Sequence, residues 1–148
     1  DAVGLYPQNL PEEVDEALSW FGLEGDTPLS LTCVDETASA RLHALGRQRT
    51  TARQIFTEVL DIFGKPSRSF CKALAKFASA PDADALKGLA AGERFKGLQD
   101  ASASFFDIFK MFPSAKPSLA HLFGLLPAMK WRLYSIANSS DYVPGVIE

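Results

Sequence analysis

The chain has 148 residues, 47% of them hydrophobic, and a formal charge of −3 at neutral pH, enough for one compact domain that buries roughly 70% of its unfolded surface. Its basic residues are scattered rather than gathered into a stripe, which sets nucleic acid aside as a partner, and its apolar runs are broken by Lys, Pro or Ser short of the ~18 residues that a membrane span requires. The two cysteines, Cys33 and Cys71, lie in different segments, and Cys71 falls on the apolar side of a helical pattern, so both are expected as reduced, buried thiols in a soluble segment on the cytoplasmic side.

The opening "DAVGLYP" alternates, with Val3 and Leu5 on one face, as a strand does. It starts abruptly, and the closing "VPGVIE" resumes apolar character and stops, so the chain is expected to be a piece of something longer. "NLPEEVDEALSWFG" reads as a helix: Pro11 near its start, Glu12, Glu13 and Asp15 at the positive end of the dipole, Gly22 past its end, and Val14, Leu18 and Phe21 on its apolar face. "TPLSLT" alternates Leu29 and Leu31 as a short strand, and residues 35–50 are weakly patterned and expected as a loop. Thr51 and Gln54 have capping-box spacing, and Ile55, Phe56, Val59, Leu60 and Phe63 trace a helical stripe up to "GKP". Further helices are predicted over 67–79, 82–91 and 98–112, with stops at Pro81, Gly92 and Pro113; Phe105, Phe106, Ile108, Phe109 and Phe112 make the last apolar over so wide an arc that it should be buried on more than one side. Pro117 and Ser118 open a short helix through Phe123, after which "MKWRLYSIA" is strand-like.

Strand material at both ends of a helical middle is the pattern of an insertion, a helical subdomain set between strands of one sheet or barrel. Two or three strands cannot close a barrel, so the others would come from sequence outside this stretch. The chemistry-bearing residues sit in the closing strand. Arg132 and Tyr134 alternate, so a fixed cation and an aromatic plate stand on one face ~7 Å apart. That pair suits a ligand having both phosphate and a flat ring, because guanidinium grips a pyrophosphate through parallel hydrogen bonds and the phenol stacks. Simple alternation points the neighbouring Ser135 to the other face. Cys33, His43, Cys71 and His121 lack metal-ligand spacing, so no metal site is expected, and no nucleophile elbow accompanies the Ser, His and acid residues present.

"RLYSIANSS" resembles the Arg-x-Tyr-Ser flavin motif of the diflavin reductase family, which includes NADPH:haemoprotein reductases and sulfite reductase flavoproteins. "DAVGLYPQN" is similar to the first strand of that family's FAD domain, "TTARQIFTEVLDIFGKPSRSFCKALAKFAS" to the start of its helical connecting subdomain, and "FPSAKPSLAHLFGLLPAMKWRLYSIANSS" to the run from that subdomain into the flavin strand. The resemblance implies an α+β, mainly α chain, in which a helical connecting subdomain is inserted between strands of an incomplete flavin-binding antiparallel β-barrel. It divides the chain into the first strands and helix of the FAD-binding domain (1–34), a loop (35–50), the connecting subdomain (51–126) and the return to the barrel (127–148). It implies that Arg132 contacts the FAD pyrophosphate, Tyr134 packs on the isoalloxazine ring and Ser135 lies near the flavin's reactive edge, with Leu133 in the motif's variable position. Asn138 stands where many members carry serine. By the same resemblance the parent protein passes electrons from NADPH to FAD to FMN to an acceptor, with FMN and NADPH bound by domains outside this segment and this piece inactive alone. The reading from another class is a noncatalytic helical module that docks a partner through its aromatic helices.

Overall fold

A computed structural model describes residues 2–30 and 50–135. The loop predicted over 35–50, with its His43, lies outside the described residues except for Thr50, which stands in a strand rather than a loop; Leu31, Cys33, Asn138 and the closing apolar run also lie outside them. Helix α1 (Pro11–Phe21) starts with Pro11 and two first-turn acids and stops at Gly22, whose φ of 65° is the left-handed conformation that glycine adopts without strain. There the Gly22 N–H donates to the Ser19 carbonyl and the Leu23 N–H to that of Leu18.

Thr51 caps α2 (Ala52–Glu58) through the capping box with Gln54 that the spacing predicts. The apolar stripe continues to Phe63, but the helix ends at Glu58. Beyond it the backbone turns to another partner: the Met129 N–H donates to the Val59 carbonyl at 2.7 Å, the Asp61 N–H donates to that of Pro127 at 2.9 Å, and Leu60 bridges antiparallel to Ala128. Asn9 closes the exposed end of α2. Its backbone N–H reaches the Thr57 carbonyl, and its side-chain amide donates to the carbonyls of Phe56 and Leu60 at 2.7 and 3.2 Å. Helix ends leave such carbonyls orphaned unless a donor is supplied.

The helix predicted over 67–79 is α3 (Arg68–Leu74), capped by Ser67, followed by a 3₁₀ turn at Ala75–Phe77. Pro81 does not stop it; that proline sits in the first turn of α4 (Ala80–Ala91), where its missing N–H costs nothing. Arg68 ties α3 to the far end of α4 by donating to the Ala90 and Gly92 carbonyls, with its guanidinium over the Phe95 ring. The single helix expected over 98–112 is two, α5 (Arg94–Asp100) and α6 (Phe105–Met111). Ser102 at φ 55° breaks the run, and Ser104 restarts it with a capping box to Asp107. Helix α7 (Leu119–Leu125) follows.

These helices share one core that includes Val14 and Leu18 of α1, Ile55 and Phe56 of α2, Leu74 of α3, Leu86 of α4 and Leu122 of α7. Phe105, Phe106, Ile108 and Phe109 of α6 are all buried, as its wide apolar arc implies. Phe109 is the hub: its ring lies 5.1 Å from Phe21, 5.5 Å from Phe70 and 5.7 Å from Trp20, in the edge-on and tilted geometries that aromatic quadrupoles favour. Two small antiparallel pairs complete an α+β fold that is mainly helical. β2 (Pro28–Leu29) pairs with β3 (Thr50–Thr51), and β1 (Ala2–Leu5) pairs with β4 (Arg132–Ser135).

Candidate functional site

The β1–β4 register sorts the motif residues. Leu5 faces Arg132 and Val3 faces Tyr134, while Gly4 faces Leu133 and Ala2 faces Ser135. Because side chains alternate, Arg132 and Tyr134 share one face of the ribbon and Leu133 and Ser135 the other. All four are exposed. Ser135 is still paired, with Ala2, so alternation puts its side chain on the face away from Arg132. Trp131 covers Gly4 so closely that a Cβ at that position would overlap its ring. Leu5, Trp131, Leu133 and Tyr134 are each roughly half or more exposed, so the ribbon shows large apolar side chains on both faces. Contiguous exposure of this kind marks a surface that another element or ligand covers.

Beside the ribbon lies a cleft of about 280 Å³, lined by Pro7, Asp61, the 127–129 segment, Lys130, Trp131 and Arg132. Its charged groups are two cations, Lys130 and Arg132, and one carboxylate. Asp61 is half-buried, and burial pushes its pKa up while the charge of Arg132 pulls the other way. Sequence reasoning singled out Arg132 and Tyr134; Arg132 lines this cleft together with Asp61 and Trp131, which it did not single out, and Tyr134 does not line it. The signal available for Asp61 was a carboxylate interrupting an otherwise apolar run, between Leu60 and Ile62, both fully buried. Away from the cleft, Cys71 is a buried thiol whose pKa is pushed up to about 11 by desolvation. His121 pairs through Nδ1 with the Ser118 hydroxyl at the start of α7 and lies against the Phe77 ring.

Residues 1–148 match the family described as FAD binding domain. The chain belongs to that family. It is also 33% identical over 150 residues to the mitochondrial pyruvate dehydrogenase [NADP(+)] of Euglena gracilis, 33% over 152 to the sulfite reductase [NADPH] flavoprotein component of Saccharomyces cerevisiae, and 28% over 154 to the NADPH–cytochrome P450 reductase of Dictyostelium discoideum. Each comparison covers 99% of this chain but only 8%, 14% and 22% of the respective relative. The resemblance to diflavin reductases drawn from the motifs thus extends along the whole sequence. The exposed guanidinium and phenol share one face of the ribbon, which shows apolar side chains on both faces. No helix among the described residues is long and apolar enough to cross a membrane.

Proposed function

We propose that this chain is the FAD-holding and connecting region of an NADPH-dependent diflavin oxidoreductase, and that Arg132, Leu133, Tyr134 and Ser135 form its flavin strand. The observation that carries the proposal is the exposed β1–β4 ribbon, with Arg132 and Tyr134 on one face and apolar side chains on both. Such a ribbon is stable as part of a larger sheet, which supports a barrel whose further strands come from outside this stretch, with residues 51–126 as the inserted connecting subdomain and 1–34 and 127–148 as parts of the FAD domain. In this reading Arg132 grips the pyrophosphate, Tyr134 packs against the ring, and Ser135 serves the reactive edge only where the completed barrel bends β4. Bound FAD supplies the exchange between a hydride donor and one-electron acceptors. The chain's own residues bind and orient it, and FMN and NADPH are held by neighbouring domains of the same polypeptide. The NADP(+) in the Euglena relative's name supports a second reading of direction alone, with electrons flowing toward the nicotinamide over the same site.

The test is Arg132→Ala in the full-length protein, followed by flavin fluorescence titration. Loss of a charge-assisted contact of about 1.5–3 kcal/mol corresponds to a roughly 10- to 150-fold weaker FAD affinity. A wild-type full-length protein that stays colourless in excess FAD overturns the proposal in favour of the helical interaction module. Residues 1–148 alone are expected to retain FAD poorly and to show no NADPH-driven dye reduction.

A further inference from the structure

Arg132 lies at an exposed strand end, and among the described residues its guanidinium makes no hydrogen bond or direct ion pair. A side chain so placed carries large rotamer freedom, which a ligand has to freeze out on binding. Asp61, which lines the same cleft, has the reverse character. Its N–H donates to the Pro127 carbonyl, its own carbonyl accepts from the Gly64 N–H, and Leu60 and Ile62 on either side are anchored in the core. The carboxylate lies over Gly64, where an added Cβ would stand 2.5 Å from Oδ2. Glycine at 64 therefore leaves the space that the carboxylate occupies.

We propose that Asp61 is a positioning residue for Arg132: a carboxylate on a backbone-anchored segment of the cleft whose charge biases the nearby guanidinium toward the cleft, ready for an anionic diphosphate. The absence of a direct ion pair is part of the device, because a guanidinium drawn by the field of a carboxylate but not bonded to it keeps its donors available to the ligand. Lys130 also lines the cleft, but its ammonium is a point charge, whereas the planar fork of arginine offers paired donors to a diphosphate. Burial of Asp61, which makes its electrostatic influence stronger than that of a fully hydrated carboxylate, supports the same role. The inference rests on the FAD reading and extends it to a residue outside the flavin strand.

A double-mutant cycle tests it in the full-length protein, with FAD affinity from fluorescence titration and the melting temperature of the FAD-free protein as readouts. Asp61→Asn keeps the shape and removes the charge; it is expected to weaken FAD binding about 3- to 10-fold in the wild-type background and to have no effect once Arg132→Ala is present. Gly64→Ala displaces the carboxylate without removing it, at little folding cost because only the tip of a side chain has to move, and should give the same Arg132-dependent loss. Equal losses from Asp61→Asn with and without Arg132, or none in either background, overturn the inference while leaving the FAD reading intact. FAD affinity that is insensitive to Arg132→Ala overturns that reading itself.

Discussion

Asn9 carries the tie between the strand ribbon and the helical core, and replacing it gives a loss whose size follows from its bonds. Its amide donates to the Phe56 carbonyl in the last turn of α2 and to the Leu60 carbonyl just beyond it, and each such bond contributes about 1 kcal/mol net. Asn9→Ala should therefore destabilise by about 2 kcal/mol, a large share of the 5–15 kcal/mol typical of a domain. With a urea slope of about 2 kcal/mol/M, the midpoint falls by roughly 1 M. Asn9→Asp sharpens the test, because it keeps the shape but sets an ionised acceptor against two carbonyls at the negative end of a helix. The loss at pH 7 should equal or exceed that of the alanine variant. Its introduced carboxyl has a folded pKa above the unfolded one, since only the protonated form can donate; its stabilising contribution is present below the unfolded value and disappears as pH rises through the folded value. The gap from wild type should thus narrow in acid. A midpoint shift under 0.25 M for Asn9→Ala, or a gap for Asn9→Asp that does not change with pH, would refute the assignment of these bonds.

Asp107 titrates low because the Ser104 backbone N–H holds its carboxylate, with the Ser104 hydroxyl and Lys110 assisting against partial burial. A depressed folded pKa gives stability that is present above the unfolded value and lost as pH falls through the folded value, so Asp107→Asn should flatten the decline of stability below about pH 4 while costing no more than about 1 kcal/mol at pH 7; an unchanged acid limb contradicts this. Cys71, buried and with its thiol pushed up to about 11, should resist a disulfide reagent at pH 8 in a Cys33→Ser background and react only in denaturant. Immediate stoichiometric labelling of the native protein would oppose that expectation.

Local signals were legible wherever the deciding interaction is also local. The Thr51 capping box, the acids and Gly22 of α1, and the wide apolar arc of α6 are determined within a few residues, and each appears in the structure. Misread boundaries share a different cause. Val59 and Leu60 continue a helical stripe, yet their backbone pairs with residues 127–129, a partner far away in the chain. Pro81 and the 101–104 break misled for simpler reasons: proline suits a first turn as well as a stop, and apolar periodicity does not register a left-handed serine. The alternation of Arg132 and Tyr134 was readable, and the register that sets Leu5 and Val3 opposite them was not. Asp61 was marked only as a carboxylate within an apolar run, and its cleft exists only once residues 59–61 and 127–129 meet.

Because Ala2 pairs with Ser135, the two outermost described segments meet at a neck about 5 Å wide. Closing a loop of this length costs roughly 4 kcal/mol in chain entropy, more than a ribbon of four residue pairs can recover by itself, so the helices between should consolidate before the neck shuts. If the ribbon is part of a larger sheet, as proposed, the closed neck presents that sheet with the footprint of a single hairpin turn.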